Sequence, residues 1–228
     1  MNELEERLLE QGASLIGFAD LAAVPEPLRR GFPRAVSFGL AIAPDVIAGI
    51  KQGPTAEYLA VYNAFNARLA TMGLETAAWL QARGWRAEAR PGSGDIDWKS
   101  LQAPFSHKMA ATLAGLGWIG KCDLLVTPEF GSALRFATVL TDAPLDCGTP
   151  ITESRCGTCT VCVDICPGHA CSGRSWRQGM AREEFWDPLA CMTGMKAINA
   201  KRGTNFAICG LCIAACPVTQ AYLAAPRD

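Results

Sequence analysis

Apolar residues open the chain at helical spacing. Leu4, Leu8 and Leu9 share a face in a segment that Asn2 can cap and Gly12 can end, which predicts a short amphipathic helix. Residues 13–19 then read as a strand. After the Pro-rich piece 24–33, the apolar run 35–43 reads as a second, buried strand. Thr55 can cap a long helix carrying Leu59, Tyr62, Phe65, Leu69 and Met72, and that helix or a second one continues through Trp79 and Leu80 to Gly84. Residues 85–90 alternate as a strand should, and 91–94 form a loop. Ser106 can cap a short helix running to Gly115, and two strands follow, 124–127 and 134–140, around a turn at 128–131. Strands alternating with helices up to about Thr141 predict an α/β or α+β layer domain. From Asp142 the texture turns to Pro, Gly, Cys and Thr. The predicted fold is therefore α+β, with one domain over 1–145 and a second over 146–228.

Composition narrows the class. In 228 residues half are apolar, so a packed core is expected and disorder is not. The formal net charge of −1 and the lack of a dense basic run give no electrostatic footprint for nucleic acid. The start, MNELEERLLEQG, has neither the basic residues nor the apolar run of a secretory signal, and no stretch reaches the roughly 18 apolar residues of a membrane span. A cytoplasmic protein without membrane contact is expected. There are eleven cysteines, and nine lie between Cys156 and Cys216. A disulfide scaffold would spread them through a short secreted chain, so this clustering points to metal binding.

Their spacing is specific. Cys156-Gly-Thr-Cys159-Thr-Val-Cys162-Val-Asp-Ile-Cys166-Pro167 is a complete C-x2-C-x2-C-x3-C-P run, the bacterial ferredoxin pattern for a [4Fe–4S] cluster, whose fourth cysteine serves a second cluster. Zinc instead favours two separated C-x2-C pairs. The run Cys209-Gly-Leu-Cys212-Ile-Ala-Ala-Cys216-Pro217 repeats the pattern without its first cysteine, whose position holds Phe206. Cys191 is the nearest upstream substitute and Cys171 its competitor, although five residues from Cys166 is a short reach. With Cys191, the crossover rule gives Cys156, Cys159, Cys162 and Cys216 to one cluster and Cys166, Cys191, Cys209 and Cys212 to the other. Cys122 and Cys147 read as small buried thiols. Val161, Ile165, Leu211 and Ile213, set among the ligands, are expected to exclude water and lower the cluster potentials.

A wider set of motifs resembles epoxyqueuosine reductase and its shorter relatives. It comprises His107-Lys108, Ala114-Gly-Leu-Gly-Trp-Ile-Gly-Lys121, Thr127-Pro-Glu-Phe-Gly-Ser132, Leu140-Thr-Asp-Ala-Pro-Leu145, the two cysteine runs, and Asp187-Pro-Leu-Ala-Cys191. The resemblance implies a nitroreductase-like domain that binds base-off cobalamin, followed by a two-cluster ferredoxin-like domain that reduces it. It also places a lone cysteine at Cys191. The backbone around Gly117, Trp118, Gly120 and Lys121, with Ser132 in the next turn, would border the corrin. Glycines allow close backbone approach to a flat macrocycle and Trp offers it a face, while a tight core turn explains the same residues without a cofactor. A flavin is the alternative occupant.

Counting back from Trp118, the positions where that family carries acidic residues hold Leu101 and His107, and Asp95 and Asp97 are out of register. An acid is the natural proton donor for opening an epoxide. The chain also ends twelve residues after Cys216, where the longer enzymes continue into a helical-repeat domain that grips tRNA. Both features argue against tRNA as a partner; the partner expected is an electron donor of ferredoxin or flavodoxin type, or a redox partner enzyme. His107, in the first turn of a helix whose positive end disfavours imidazolium, is the candidate catalytic residue. A neutral ring there could ligate cobalt or exchange a proton, or simply hydrogen-bond at the helix start. His169, between cluster cysteines, is either a donor toward a cluster sulfur or solvated.

Overall fold

The computed structural model describes residues 3–90, 97, 101–103 and 105–226. The Asn2 cap, the loop at 91–94 and Asp95 lie outside the described residues. The described chain divides into two compact units, each drawn from three stretches. The first takes Met1–Ala41, Ala64–Leu116 and Arg135–Ile151, and the second takes Ile42–Asn63, Gly117–Leu134 and Thr152–Asp228. The sequence placed one boundary near residue 145. In the structure the cysteine-rich segment instead shares its unit with two stretches from far upstream. No helix among the described residues is long and apolar enough to cross a membrane.

The first unit is built on strands β1 (Leu15–Asp20), β2 (Arg34–Ala41), β3 (Ala87–Arg90) and the later β6 (Leu134–Thr141), in the order β1-β2-β6-β3. β1 pairs antiparallel with β2 and β3 antiparallel with β6. Successive side chains of a strand point to opposite faces, and two separate apolar clusters follow from that alternation. Phe18, Val36, Phe38, Leu40, Ala137 and Val139 pack with helix α1 (Glu3–Glu10) through Leu4 and Leu8, and with helix α4 (Ala56–Gln81) through Leu69, Met72 and Leu80. Ala19, Ala35 and Leu140 join Ala110, Leu113 and Ala114 of helix α5 (His107–Leu113) and its C-terminal cap. The central strand β2 is buried through six consecutive positions because both faces are covered. Leu9 departs from the expected face and is 44% exposed, since one residue after Leu8 is about 100° around the helix. The two predicted caps that lie among the described residues are present: Thr55 Oγ1 accepts from Tyr58 N at 3.1 Å and Ser106 Oγ from Met109 N at 3.4 Å.

The second unit carries little sheet. Strands β4 (Trp118–Ile119) and β5 (Leu125–Val126) form a hairpin, with Gly120 N donating to Leu124 O across its tip. Around the cysteines lie helices α6 (Val161–Asp164), α7 (Pro188–Lys201), α8 (Leu211–Ala215) and α9 (Pro217–Ala224). Two short helices, α2 (Glu26–Arg29) and α3 (Pro44–Gly49), each start on a proline or directly after one.

Candidate metal centre

All eleven cysteines are free thiols. Cys156 and Cys159 lie in the loop before α6, and Cys159 N donates to Cys156 O at 3.1 Å. Cys162 sits on α6, and Cys166 follows it, its sulfur accepting from Ala170 N at 3.3 Å. Cys209 precedes Gly210, whose φ of 85° starts α8; Cys212 is on that helix, and Cys216 stands at the junction of α8 and α9. The amides of Val218 and Thr219 donate to the Cys216 sulfur at the start of α9. Backbone N–H groups aimed at a sulfur favour its thiolate, the form that binds iron.

Cys191 is on the first turns of α7, which Asp187 caps by accepting from Leu189 N at 2.8 Å and Ala190 N at 3.0 Å. Two glycines bring this helix against the first cysteine run. A Cβ on Gly168 would stand 2.1 Å from Ala190 O, and one on Gly194 would stand 2.3 Å from Gly168 N. The two backbones touch where side chains would hold them apart. Burial and the neighbouring charges of Cys212, Cys166 and Cys209 push the Cys191 thiol up to about 12. Burial likewise raises Cys209 and Cys216, and the charge of Cys156 adds to the rise at Cys216. The loop before Cys209 is tied by buried Asn199: its Nδ2 donates to Met195 O and Ile208 O, both at 2.9 Å, and its Oδ1 accepts from Phe206 N at 3.1 Å. Phe206 is the position of the absent cysteine.

The hairpin tip meets this assembly. Lys121, 4% exposed, donates from Nζ to Gly157 O and Cys159 O, both at 2.9 Å. The Cys122 thiol lies beside those of Cys162 and Cys212, and Cys171 Sγ donates to Cys162 O at 3.8 Å. Hydrogen bonds from Cys122 and then Cys171, with the Lys121 charge, hold the Cys162 thiol down to about 3. The same bonds, with burial, push Cys122 and Cys171 up. Among the described residues no three His, Cys, Asp or Glu side chains stand close enough to hold a single ion. A cubane asks for something different, one thiolate per iron at separate corners. Of the apolar residues expected to shield it, Leu211 is buried, but Val161 and Ile165 are 39% and 38% exposed, one turn apart on the outer side of α6.

The glycines of the hairpin have local explanations. A Cβ on Gly117 would lie 2.3 Å from Val126 O, and one on Gly120 would lie 3.0 Å from the Val126 side chain. Both residues therefore let β4 and β5 close. The polar groups around them are less complete. Trp118 Nε1 and Ser132 Oγ are buried without a hydrogen-bond partner, although Ser132 N donates to Thr219 Oγ1 at 3.0 Å. Buried donors normally find acceptors, so these two atoms fit a bound group with polar edges. In the first unit, His107 Nδ1 meets Thr138 Oγ1 at 2.8 Å. Leu101 has φ 53°, an uncommon value for a branched side chain, and His169 is exposed with φ 50°.

This fold is shared with two kinds of reductase. An epoxyqueuosine reductase solved with a tRNA-Tyr stem loop carrying epoxyqueuosine superposes with a TM-score of 0.64 at 20% identity, over 96% of this chain and 65% of that one. A reductive dehalogenase described as B12-dependent gives 0.63 at 18% identity, over 91% of this chain and 30% of that one. In sequence, the chain is 33% identical over 157 residues to the epoxyqueuosine reductase of Synechococcus sp. (strain CC9605), covering 63% of this chain and 44% of the relative. The chain spans less than half the length of the curated relatives it matches. No family model matches it. The chain is thus similar to epoxyqueuosine reductases in sequence and in fold.

Proposed function

We propose that the protein is an iron–sulfur oxidoreductase in which two [4Fe–4S] clusters serve a corrinoid, with a nitroreductase-like part binding that cofactor and a ferredoxin-like part holding the clusters. The observation that carries the reading is the crosswise grouping of thiols. Cys162 and Cys212 also act on one another, but across the Gly168–Gly194 backbone contact it is the charges of Cys166, Cys209 and Cys212 that act on Cys191, and that of Cys156 that acts on Cys216. Those are the partners the crossover rule requires. When bound, the clusters supply single electrons and the corrinoid supplies the reducing centre. Cys156, Cys159, Cys162 and Cys216 hold one cluster, and Cys166, Cys191, Cys209 and Cys212 the other. Gly117, Trp118, Gly120, Lys121 and Ser132 border the corrin. Trp118 and Ser132 offer it hydrogen bonds, and the Lys121 ammonium keeps the hairpin tip on the cluster loop. His107, oriented by Thr138, carries a proton to the substrate in place of a carboxylic acid.

Support comes from the likeness to epoxyqueuosine reductases and to a dehalogenase described as B12-dependent. Anaerobic reconstitution tests the reading. About eight irons per chain are expected, and added cobalamin should bind and shift its visible spectrum. Full clusters with an unchanged cobalamin spectrum, but a bound flavin, would replace the corrinoid by a flavin. Full clusters with neither cofactor would leave a second reading, an electron-transfer module docking on a partner enzyme. The exposed pair Val161 and Ile165 beside the ligands Cys162 and Cys166 favours that reading.

A further inference from the structure

Arg90 ends the edge strand β3, and its side chain is only 7% exposed. Its Cα stands opposite that of Thr138 in the pairing of β3 with β6, so the two side chains leave the same face of the sheet as cross-strand neighbours. That face is the one α5 covers, since Leu140, two residues beyond Thr138, packs with Ala110 and Leu113. Thr138, fully buried, meets His107 Nδ1 at 2.8 Å. A guanidinium and an imidazole thus flank one threonine. Glu88, two residues before Arg90 and on the same face, accepts from Arg90 Nη1 at 2.7 Å, and the same carboxylate oxygen accepts from Arg30 Nη1. One carboxylate serves two guanidinium groups, which leaves one positive charge over. The bond to Glu88 uses Nη1 alone. Arg90 Nε, which with Nη2 makes the side-on fork of a guanidinium, is buried with no hydrogen-bond partner among the described residues. Buried donors normally find acceptors, and a buried charge asks for a counter-charge.

We propose that Arg90 is a substrate-binding residue: its Nε–Nη2 edge grips the carboxylate of a small monocarboxylate and sets the rest of that molecule at the His107 ring. The inference rests on the reading of His107 given above and adds a substrate class to it. Geometry favours a carboxylate, whose two oxygens match the two parallel N–H groups of the fork. Charge favours it too. A monoanion balances the single surplus charge, whereas a phosphate monoester would bring about −1.5 to −2.

The test uses the full chain, reconstituted anaerobically and kept oxidised, with iron and cobalamin counted. Benzoate is the probe, benzamide its neutral isostere and inorganic phosphate the competing anion. Titration calorimetry should find one benzoate per chain, with benzamide weaker by roughly tenfold or more, the worth of a hydrogen bond to a charged group. The chain has two histidines, so nitrogen-15 NMR of histidine-labelled protein reads the site directly. Benzoate should move the His107 ring signals and leave those of His169 in place. Arg90→Gln should weaken benzoate by a similar factor, and Arg90→Lys, which keeps the charge without the fork, should recover part of the loss. The comparison of benzoate with benzamide is made on wild type and stands even where a variant folds poorly. Equal binding of the two, binding of neither, phosphate bound more tightly than benzoate, or movement of His169 in place of His107 each overturns the inference. So does a folded Arg90→Gln protein that binds benzoate as wild type does. Full clusters and bound cobalamin without a benzoate site remove this inference alone, whereas benzoate bound beside His107 in a chain that takes up no cobalamin keeps it and removes the corrinoid reading.

Discussion

Gly194→Ala sets a local gain against a long-range loss. Gly194 lies inside α7, where alanine is the better helix former by about 1 kcal/mol. Its new Cβ, however, would stand 2.3 Å from Gly168 N, 2.6 Å from Gly168 Cα and 2.9 Å from Pro167 C. Ordinary contact begins near 3.4 Å, so the two backbones must part by about 1 Å. Overpacking of this kind costs about 1–3 kcal/mol, which the helix gain partly offsets. Thermal unfolding is therefore a weak readout, and the ligand geometry decides. Cys191 is three residues earlier on the same face of α7, and Cys166 is two residues before Gly168. A displacement of about 1 Å between them exceeds the roughly 0.5 Å within which a ligand shell must be held. The variant should retain about four irons where wild type holds about eight, with one EPR signal lost. Gly49→Ala, at the end of α3 with nothing within 4 Å of the new Cβ, is the silent control. A Gly194→Ala protein with full iron and an unaltered EPR spectrum would refute the close approach and the ligand role of Cys191.

Cys191→Ala should likewise halve the iron bound, while Cys147→Ala leaves it unchanged; colorimetric iron and sulfide assays on matched preparations decide between them. Lys121→Met removes two charge-assisted hydrogen bonds, each worth about 1.5–3 kcal/mol, and leaves Gly157 O and Cys159 O without that donor. The metal-free variant should unfold several degrees lower in calorimetry, and an unchanged transition would mean that the ammonium does not hold the loop. Asp142 is held below the usual carboxylate range by its hydrogen bond from Arg86. A depressed carboxylate stabilises the fold above its unfolded pKa and loses that contribution as pH falls through the folded value. Asp142→Asn should therefore lose under about 1 kcal/mol at pH 7, the pair being exposed, and nothing in strong acid; equal losses at both pH values would contradict this.

Elements with a strong period or an explicit cap were legible in the sequence. Thr55 and Ser106 mark their helices, and the apolar run of β2 indicates a strand covered on both faces. α7 has one start signal in the sequence, Asp187-Pro188, an N-cap followed by proline at the first helical position, and little else that marks a helix. The apolar face there is weak because Cys191 and Gly194 occupy positions that a core helix would give to leucine. In the sequence β4 looks like part of a glycine turn, because two residues are too short to show alternation. The interleaving of the units had no local signal at all. It depends on which distant stretches find one another, as when the hairpin tip meets Gly157 and Cys159.

In the proposed two-cluster reading, α7 supplies the ligand that Phe206 does not. α7 is fastened at both ends to the two cysteine runs. In its first half, Ala190 O and Gly194 pack on Gly168, in the stretch that follows Cys166. Near its end, Asn199 bonds Ile208 O and Phe206 N, the backbone just ahead of Cys209. Fastened at those two points, the helix carries the lone cysteine one turn before Gly194, within reach of the charges of Cys166, Cys209 and Cys212. A cysteine at position 206 would place a fifth thiol at the same site. Asn199, buried with both of its amide atoms bonded, holds that loop by hydrogen bonds instead. The departure from the ferredoxin pattern that looks like a missing ligand in the sequence is, in the fold, a division of labour between the two ends of α7.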